Sequence, residues 1–214
     1  WVSSNLPPRD GGYHYDGLCP TIVSDFVARL LAESSAQTVL DPWVGYGTLL
    51  RPVLREINAA VFVGVTPHAG MLKITEAYLA DHQGDVRVGD SDLSALKDDE
   101  VFDLVVSAPP FGEIREFTVG NMDFRDETVG EILLRSVLRM KPSGVGYFLV
   151  SLSFLSSIRK NTVVHELSHF GVYVDACFSL RGINYGSSLK EFEGEEFEGD
   201  YRDEHFDPHS LSEH

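Results

Sequence analysis

Short apolar segments alternate with segments of helical periodicity along most of this 214-residue chain. The pattern predicts strands at 37–41, 60–65, 85–90, 101–107, 145–152 and 172–180, and helices at 21–33, 48–57, 69–82, 127–140 and 156–170. Strands that are apolar on nearly every residue are typical of parallel sheets, which are buried on both faces. The sequence therefore predicts an α/β fold with a mostly parallel, twisted sheet and helices on both of its faces.

The same pattern gives three finer expectations. In the third predicted helix, Ile74, Tyr78 and Leu79 fall on one side, which we expect to be the apolar side. The stretch 113–125 is polar and is expected to be irregular. The Lys-Pro-Ser-Gly sequence at 141–144 is expected to end the fourth helix before the next strand begins.

A hydrophobic content of 43% is enough for one globular domain with its own core. We divide the chain into an N-terminal segment with a lead-in helix at 1–36, a core at 37–185 and an acidic tail at 186–214. No apolar run reaches the length of a membrane span, and the first residues, WVSSNLPPRD, lack a signal-peptide pattern. Cys19 and Cys177 fit no disulfide or metal spacing, so we expect reduced thiols in a cytoplasmic protein.

The charge of the chain is strongly negative, with 33 acidic against 17 basic residues and a net charge of -16. Such a surface suits high salt, where self-repulsion is screened, but it is awkward for binding nucleic acid, which requires Lys and Arg. Residues 190–214 carry 10 acidic and 2 basic residues, with aromatic residues between them. This tail is interpreted as a solvated segment, and docking of the tail on a partner protein stays open.

Ligands of parallel α/β sheets bind at the carboxyl ends of the strands, so the residues that follow each strand are the informative ones. The first strand ends in DPWVGYGTLL, in which Asp41 precedes a turn containing Gly45 and Gly47 and then a helix. Glycines let the backbone approach a ligand, and the helix start offers free N–H groups. The third glycine of a dinucleotide motif is replaced by Leu50, and an acid before the turn suits a cationic or zwitterionic ligand.

The next three strand ends extend this pattern. Thr66 and its neighbours follow the second strand without the acid that binds ribose hydroxyls at this position of a nucleotide site. Gly-Asp-Ser-Asp-Leu follows the third strand, and the Asp90 carboxylate in it is able to accept a hydrogen bond from an adenine amino group. Ala-Pro-Pro-Phe-Gly, at 108–112, follows the fourth strand.

Together these motifs resemble the class I S-adenosylmethionine-dependent methyltransferases, with their Rossmann-like fold. The sequences DPWVGYG, GDSDL and VVSAPPFG are similar to motifs of the DNA methyltransferases that modify adenine N6, and in particular to modification subunits of type I restriction systems. The resemblance covers roughly residues 13–181, and Cys19-Pro20 stands where that family has Thr-Pro before the lead-in helix.

The resemblance implies roles for particular residues. S-adenosylmethionine would be bound by residues of the lead-in and of the first three strand ends, namely Cys19, Pro20, Asp41, Pro42, Gly45, Gly47, Thr66, Asp90 and Ser91. The catalytic loop would be Ala108, Pro109, Pro110 and Phe111. Its prolines would stiffen the loop and direct carbonyls at the target amine, and Phe111 would stack on a flipped base.

Two residues depart from that family. Ala108 stands where the family has Asn, Asp or Ser, whose side chain accepts hydrogen bonds from the target amine. Ser107 is one residue away, but in a strand it faces the opposite side. The ribose-binding acid is also missing near Thr66. The first hypothesis is an amino-group methyltransferase, most plausibly for adenine N6 in DNA in a restriction-modification-like system. The second is a catalytically degenerate binding or scaffolding module.

Two further points complete the expectations. DNA would be recognised through a separate specificity domain or subunit, because no target-recognition domain is evident in the sequence. His165-Glu166-Leu167-Ser168-His169 has the spacing of a zinc peptidase helix, a third hypothesis. We assign no metal to it, since a third ligand is not evident and the helix lies away from the expected site. The NYGS sequence at 184–187 either lines the base pocket or turns the chain.

Overall fold

The computed structural model describes residues 18–57, 61–110, 114–150, 154 and 162–176. The helices in these ranges are α1 (Thr21–Leu30), α2 (Leu50–Ile57), α3 (Ala69–Leu79), α4 (Thr128–Val137) and α5 (Thr162–Leu167), and a 3-10 turn at Ser168–Phe170 follows α5. The strands are β1 (Thr38–Asp41), β2 (Val61–Thr66), β3 (Gly84–Val88), β4 (Phe102–Ser107), β5 (Ile114–Val119), β6 (Met122–Glu127) and β7 (Met140–Phe148).

Five strands form one parallel sheet in the order β3-β2-β1-β4-β7, and helices accompany it. This confirms the predicted α/β class. The central strand is β1, and its register places Leu40 beside Val105 of β4 and Val63 of β2. Because all five strands run in the same direction, their carboxyl ends lie along one edge of the sheet. The loop that follows each strand begins at this edge.

The sheet separates two apolar layers. On one face, side chains of α1, α2 and α3 pack against Val39, Leu104 and Val106. On the other face, Leu93 and Leu96 of the loop after β3 pack against Leu40, Val63, Val65 and Val105. Successive residues of β1 and β4 thus alternate between the layers, as the pleat of a strand requires.

The expectation of an irregular stretch at 113–125 is wrong. Residues 114–127 form an antiparallel hairpin of β5 and β6, in which the rings of Phe117 and Phe124 stack with centroids 5.3 Å apart. Buried Phe117 and Val119 flank the exposed Thr118 in β5, and buried Phe124 lies between exposed residues in β6. Gly120 takes the positive φ of 62° that the tight turn demands. The inner face of the hairpin packs on α4 and α5 in a third apolar cluster.

The expected apolar side of the third helix is confirmed for Leu79, which is buried, and for Tyr78, which packs against the core, but it is wrong for Ile74. Ile74 is 51% exposed, whereas Thr75 and Leu79 are buried. The polar Thr75 is tolerated inside because its hydroxyl is within hydrogen-bonding distance of two backbone carbonyls, those of Gly45 and Met71. A hydrogen-bonded hydroxyl removes most of the cost that burial of a polar group otherwise carries.

Two other elements differ from the expectation. The strand after α4 starts at Met140, so the Lys-Pro-Ser-Gly sequence lies within β7, where the register against β4 shifts and Ser143 has a φ of 69°. No strand is formed by 172–176, the described part of the predicted strand at 172–180. Tyr173 and Val174 are exposed there, so these two side chains are not buried as those of a core strand would be.

Several predicted features lie outside the described residues. These are Phe111, Cys177, the sequence at 184–187, the acidic tail, and the parts of four predicted elements at 60, 151–152, 156–161 and 177–180. Within the described ranges, no helix is both long enough and apolar enough to cross a membrane.

Candidate active site at the carboxyl ends of the strands

The turn between β1 and α2 is built on its glycines. Gly45 and Gly47 have φ angles of 52° and 78°, a region that side chains with a Cβ atom rarely adopt. A Cβ on Gly47 would also lie 3.1 Å from the side chain of Leu79. The turn is fastened to neighbouring elements, because the Val44 N–H donates to the Val65 carbonyl over 2.8 Å. Its backbone is therefore held close to the ends of β1 and β2.

Asp41, the last residue of β1, is a buried acid. Only 1% of the residue is exposed, and its Oδ1 atom accepts a hydrogen bond of 3.1 Å from the N–H of Trp43. Burial raises the pKa of Asp41 from 3.8 to about 8, and the Trp43 hydrogen bond only partly opposes this. A carboxylate in such a place is costly unless a cation joins it, so the site is poised for a positively charged group.

The structure brings three of the predicted site residues together around one small cavity. Asp41, Cys19 and Ala108 all line it, and the other lining residues are Leu18, Trp43, Val44, Thr48 and Leu49. Its volume of about 10 Å³ has room for roughly one water molecule. The roof is the lead-in segment before α1, held by a hydrogen bond of 2.7 Å from the Cys19 N–H to the Thr48 hydroxyl. In this form the cavity is therefore much too small for a ligand of ordinary size.

The two prolines of the predicted cofactor set have structural positions beside the cavity. The Pro20 carbonyl accepts hydrogen bonds from the N–H groups of Val23 and Ser24 and so begins α1. Pro42 is buried directly after Asp41. Both prolines restrict the backbone next to a cavity-lining residue.

Thr66, at the end of β2, does not line this cavity. It is fully buried, and its hydroxyl accepts a hydrogen bond of 3.3 Å from the N–H of His68 in its own turn. The position that carries a ribose-binding acid in the resembled family thus holds a hydroxyl that is used locally. The structure offers no acid at the end of β2 in its place, since the turn continues with Pro67 and His68.

The residues after β3 belong to a polar network rather than to the cavity. Asp90 is exposed, and its Oδ1 atom accepts from the Ser91 N–H over 2.7 Å and from Nη1 of Arg115 over 3.0 Å. Ser91 is buried and its hydroxyl donates to Oε2 of Glu131 on α4 over 2.6 Å. Partial burial works against ionisation of Asp90, but the hydrogen bonds of Ser91 and Arg115 lower its pKa. Asp90 is therefore an ionised acceptor, whereas the side chain of Ser91 turns inward.

The predicted catalytic loop leaves the sheet beside Asp41. Ala108 is half-buried on the same face as the cavity, and Pro109 and Pro110 are buried. Ser107 does not line the cavity; its Oγ is buried and has no hydrogen-bond partner among the described residues, and its carbonyl accepts from the N–H of Leu149. The loop thus presents the methyl side chain of Ala108 at the cavity wall.

Within the HELSH sequence, the described side chains of Glu166 and His169 contact each other. Nδ1 of His169 lies 2.6 Å from Oε2 of Glu166, and the His169 side chain is 71% exposed. No group of three His, Cys, Asp or Glu side chains in the described ranges is arranged to hold a metal ion.

Sequence patterns did not identify three residues of the site: Arg115, Glu131 and Thr75. Arg115 comes from the hairpin, Glu131 from α4 and Thr75 from α3, so each joins the site only through the fold. One signal for the hairpin was present in the sequence. Two alternating segments separated by Gly120-Asn121 are typical of a hairpin with a two-residue loop.

A parallel sheet that carries a glycine turn after β1 and an Ala-Pro-Pro loop after β4 has the architecture of the class I S-adenosylmethionine-dependent methyltransferases. The sequence places the chain within that class, because residues 21–156 match the profile of the methyltransferase small domain. The chain belongs to the methyltransferase small domain family. A comparison with curated proteins gives no match in sequence.

Solved methyltransferase structures share the fold. The methyltransferase subunit of a type I restriction-modification system from Streptococcus thermophilus has a TM-score of 0.54 and 15% identity, over 64% of this chain and 35% of the subunit. The ribosomal protein L11 methylase of Lactobacillus delbrueckii subsp. bulgaricus has a TM-score of 0.53 and 16% identity, over 79% of this chain and 75% of the methylase. The precorrin-6y C5,15-methyltransferase of Geobacter metallireducens has a TM-score of 0.50 and 16% identity, over 72% and 73%.

These proteins act on different substrates, so the shared fold does not select one. The chain spans about a third of the Streptococcus thermophilus subunit and about three quarters of the L11 methylase.

Proposed function

We propose that this protein is an S-adenosylmethionine-dependent amino-group methyltransferase, and that its target is the N6 amino group of adenine in DNA, in a restriction-modification-like system. The observation that carries the proposal is that the buried Asp41 carboxyl and Ala108 of the predicted catalytic loop line the same cavity. Asp41 is suited to hold a cationic cofactor, and Ala108 belongs to the loop proposed to contact the substrate.

The methionine end of S-adenosylmethionine fits the residues around Asp41. Burial without a cation raises the pKa of Asp41 to about 8, and an α-ammonium group is a cation of suitable size and chemistry to reverse that shift. The positive φ angles of Gly45 and Gly47 bring the backbone of the turn close to the same place. Asp41 is thus the ammonium partner, and the turn supports the methionine portion.

The adenosine end fits in part. Asp90 is exposed and ionised at the end of β3, as an acceptor for an adenine amino group must be. The turn after β2 has no acid to bind the ribose hydroxyls. Thr66 stands there instead, and it is buried with its hydroxyl used within its own turn. We therefore assign the adenine contact to Asp90 and assign no residue to the ribose hydroxyls.

When bound, S-adenosylmethionine would supply a methyl group on a sulfonium for transfer to the target nitrogen. Asp41 would hold the ammonium end in place, and the carbonyls of Ala108 and Pro109 would be the acceptors that orient the target amine. Pro109 and Pro110 keep these carbonyls in position because proline fixes its own φ angle. Ala108 has no side-chain acceptor, so the proton that leaves the methylated amine passes to water.

Recognition of DNA is assigned to a separate specificity domain or subunit. The net charge of -16 opposes the approach of phosphate groups, so a basic partner is needed for affinity. The acidic segment at 190–214 is a candidate to bind such a partner through charge complementarity.

The second candidate function is a degenerate methyltransferase fold that binds or scaffolds without transferring methyl groups. The methyl side chain of Ala108 in the cavity wall favours it, because this position lacks the acceptor that orients an amine. The engaged hydroxyl of Thr66 also favours it, since ribose then gains fewer hydrogen bonds.

Transfer of a labelled methyl group separates the two functions. The purified protein is incubated with methyl-labelled S-adenosylmethionine and unmethylated DNA, alone and with candidate specificity subunits, in low and in molar potassium chloride. The proposal predicts N6-methyladenine in the DNA, no product with Asp41→Asn, and no product with RNA of the same sequence. Cofactor binding without transfer to DNA under all of these conditions would establish the degenerate module instead.

A further inference from the structure

Arg115 connects the hairpin to the loop after β3. Its Nη1 atom donates to Oδ1 of Asp90 over 3.0 Å and to the hydroxyl of Ser91 over 3.2 Å. The Arg115 side chain is 30% exposed, so the contact is partly shielded from solvent. Hydrogen bonds from a guanidinium to a carboxylate are among the stronger ones in proteins, and shielding reduces screening by salt.

The position of this loop is fixed from the other side by α4. Ser91 donates to Oε2 of the buried Glu131, and Oε1 of Glu131 accepts from Nε of Arg135 over 2.9 Å. Nη2 of Arg135 donates to the carbonyl of Thr118 in β5 over 3.0 Å. The loop after β3, α4 and the hairpin are thus joined by one continuous set of hydrogen bonds, of which the Arg115 contact is the outermost.

The two hydrogen bonds of Asp90 given above both end on Oδ1. This leaves Oδ2 directed away from those donors and available to a ligand, because a carboxylate has acceptor sites on both oxygens. Since 57% of the Asp90 side chain is exposed, it would occupy several rotamers without a fixed partner. Arg115 and the Ser91 amide therefore select one orientation of the carboxylate.

We propose that Arg115 is a positioning residue that holds the Asp90 carboxylate in the orientation that binds the adenine amino group of the cofactor. This inference rests on the proposed function, and it gives the hairpin of β5 and β6 a part in cofactor binding. Arg115 acts through Asp90 and does not itself contact the cofactor.

The test is calorimetric titration of S-adenosylmethionine into the full chain and its variants. Arg115→Ala should weaken binding of S-adenosylmethionine about tenfold, because the charge-assisted hydrogen bond that orders the Asp90 carboxylate is lost. Arg115→Lys should weaken it less, since lysine keeps the charge but not the planar geometry of the guanidinium. Arg125→Ala is the matched control: this exposed arginine lies in β6 of the same hairpin, opposite Glu116, and its loss should leave affinity unchanged.

A double-mutant cycle distinguishes positioning from simple support of the hairpin. If Arg115 acts through Asp90, Arg115→Ala causes no further loss of affinity in the Asp90→Asn background, because the effects of coupled residues do not add. Additive losses, or wild-type affinity in Arg115→Ala, would overturn the inference while leaving the proposed function intact. Absence of binding by the wild-type protein would overturn both. Thermal melting of each variant identifies a loss of affinity that comes from unfolding, which also counts against positioning.

Discussion

The hydroxyl of Thr75 lies 2.6 Å from the backbone carbonyl oxygen of Gly45, to which it donates a hydrogen bond. This contact fastens the glycine turn after β1 to the middle of α3. Gly45 has a φ of 52°, so the turn is held in a conformation that few residues adopt. The positions of the turn and of the helix are therefore set together.

Replacing Thr75 by Val should loosen the glycine turn while preserving the shape of the side chain. The buried Gly45 carbonyl would lose its partner, so we expect the free energy of unfolding to fall by about 1–3 kcal/mol. Thr75→Ser keeps the hydroxyl and should lose less. Urea denaturation of the three proteins measures the difference, and equal stability of Thr75→Val and the wild type would show that the contact does not hold the turn.

Asp41 should make the stability of the ligand-free protein depend on pH. Because its folded-state pKa of about 8 lies above its ordinary value of 3.8, the folded state binds the proton more tightly than the unfolded state. Its contribution to stability is therefore fully present below pH 3.8 and is lost as the pH rises through 8. Between these values the free energy of unfolding should decrease by up to about 1.4 kcal/mol per pH unit.

Asp41→Asn isolates this effect from those of other carboxyl groups. The difference in unfolding free energy between wild type and variant, measured by urea denaturation at several pH values, should change in favour of the variant as pH increases. A difference that stays constant between pH 4 and pH 8 would mean that Asp41 ionises normally.

Asp103 should have the opposite pH dependence. Burial works against its ionisation, but hydrogen bonds from Lys141 and Thr38, and from the N–H of Gln37, hold its pKa at about 2. Its stabilisation is thus present above its ordinary pKa of 3.8 and is lost as the pH falls through 2. Asp103→Asn should cost about 2 kcal/mol at pH 7, and much less near pH 2.

The exposed Asp99→Asn serves as the control for Asp103 and should be nearly neutral at both pH values. Denaturation of both variants at pH 7 and at low pH gives the comparison. A similar cost for the two at pH 7 would show that the link between β4 and the start of β1 contributes little.

Thr48 should control access to the cavity. Thr48→Val removes the hydroxyl that accepts from the Cys19 N–H, so the lead-in segment should open about five times more often, as expected for a lost hydrogen bond of about 1 kcal/mol. The rate at which a thiol reagent modifies Cys19, measured with Cys177 replaced by Ser, should increase accordingly. Thr118→Val, which removes a hydroxyl bonded to Asp123 on the hairpin, should leave that rate unchanged.

Ala108 is the position where an added side chain should increase activity. Ala108→Asn supplies the missing acceptor, and if the rest of the site orients the amine we expect methyl transfer to rise roughly a hundredfold. Ala108→Ser tests the same point with less added volume, and Ala108→Val adds volume without an acceptor. Equal activity of all three variants would show that the side chain at 108 does not orient the substrate.

The sequence predicted the parts of the fold that depend on local patterns. Strands such as 101–107 are apolar throughout, and the Asp41 to Gly47 motif combines a strand end with glycines, so both could be recognised from neighbouring residues. The Arg115–Asp90 and Thr75–Gly45 contacts join residues 25 and 30 positions apart, and neither has a local signature. Ile74 was wrongly placed on the buried side of α3, because apolar periodicity cannot predict that the polar Thr75 is buried there through a hydrogen bond to the glycine turn.

The most direct test of the account is the number of protons released when S-adenosylmethionine binds at pH 7. Asp41, with a pKa of about 8 in the ligand-free protein, is mostly protonated at this pH, and an ammonium group placed beside it should make it ionise. Calorimetric titration in buffers of different ionisation enthalpy should therefore give one binding site and the release of nearly one proton. Asp41→Asn should bind much more weakly and release none. No binding by the wild type, or binding with no proton released, would contradict the assignment of Asp41 as the partner of the cofactor.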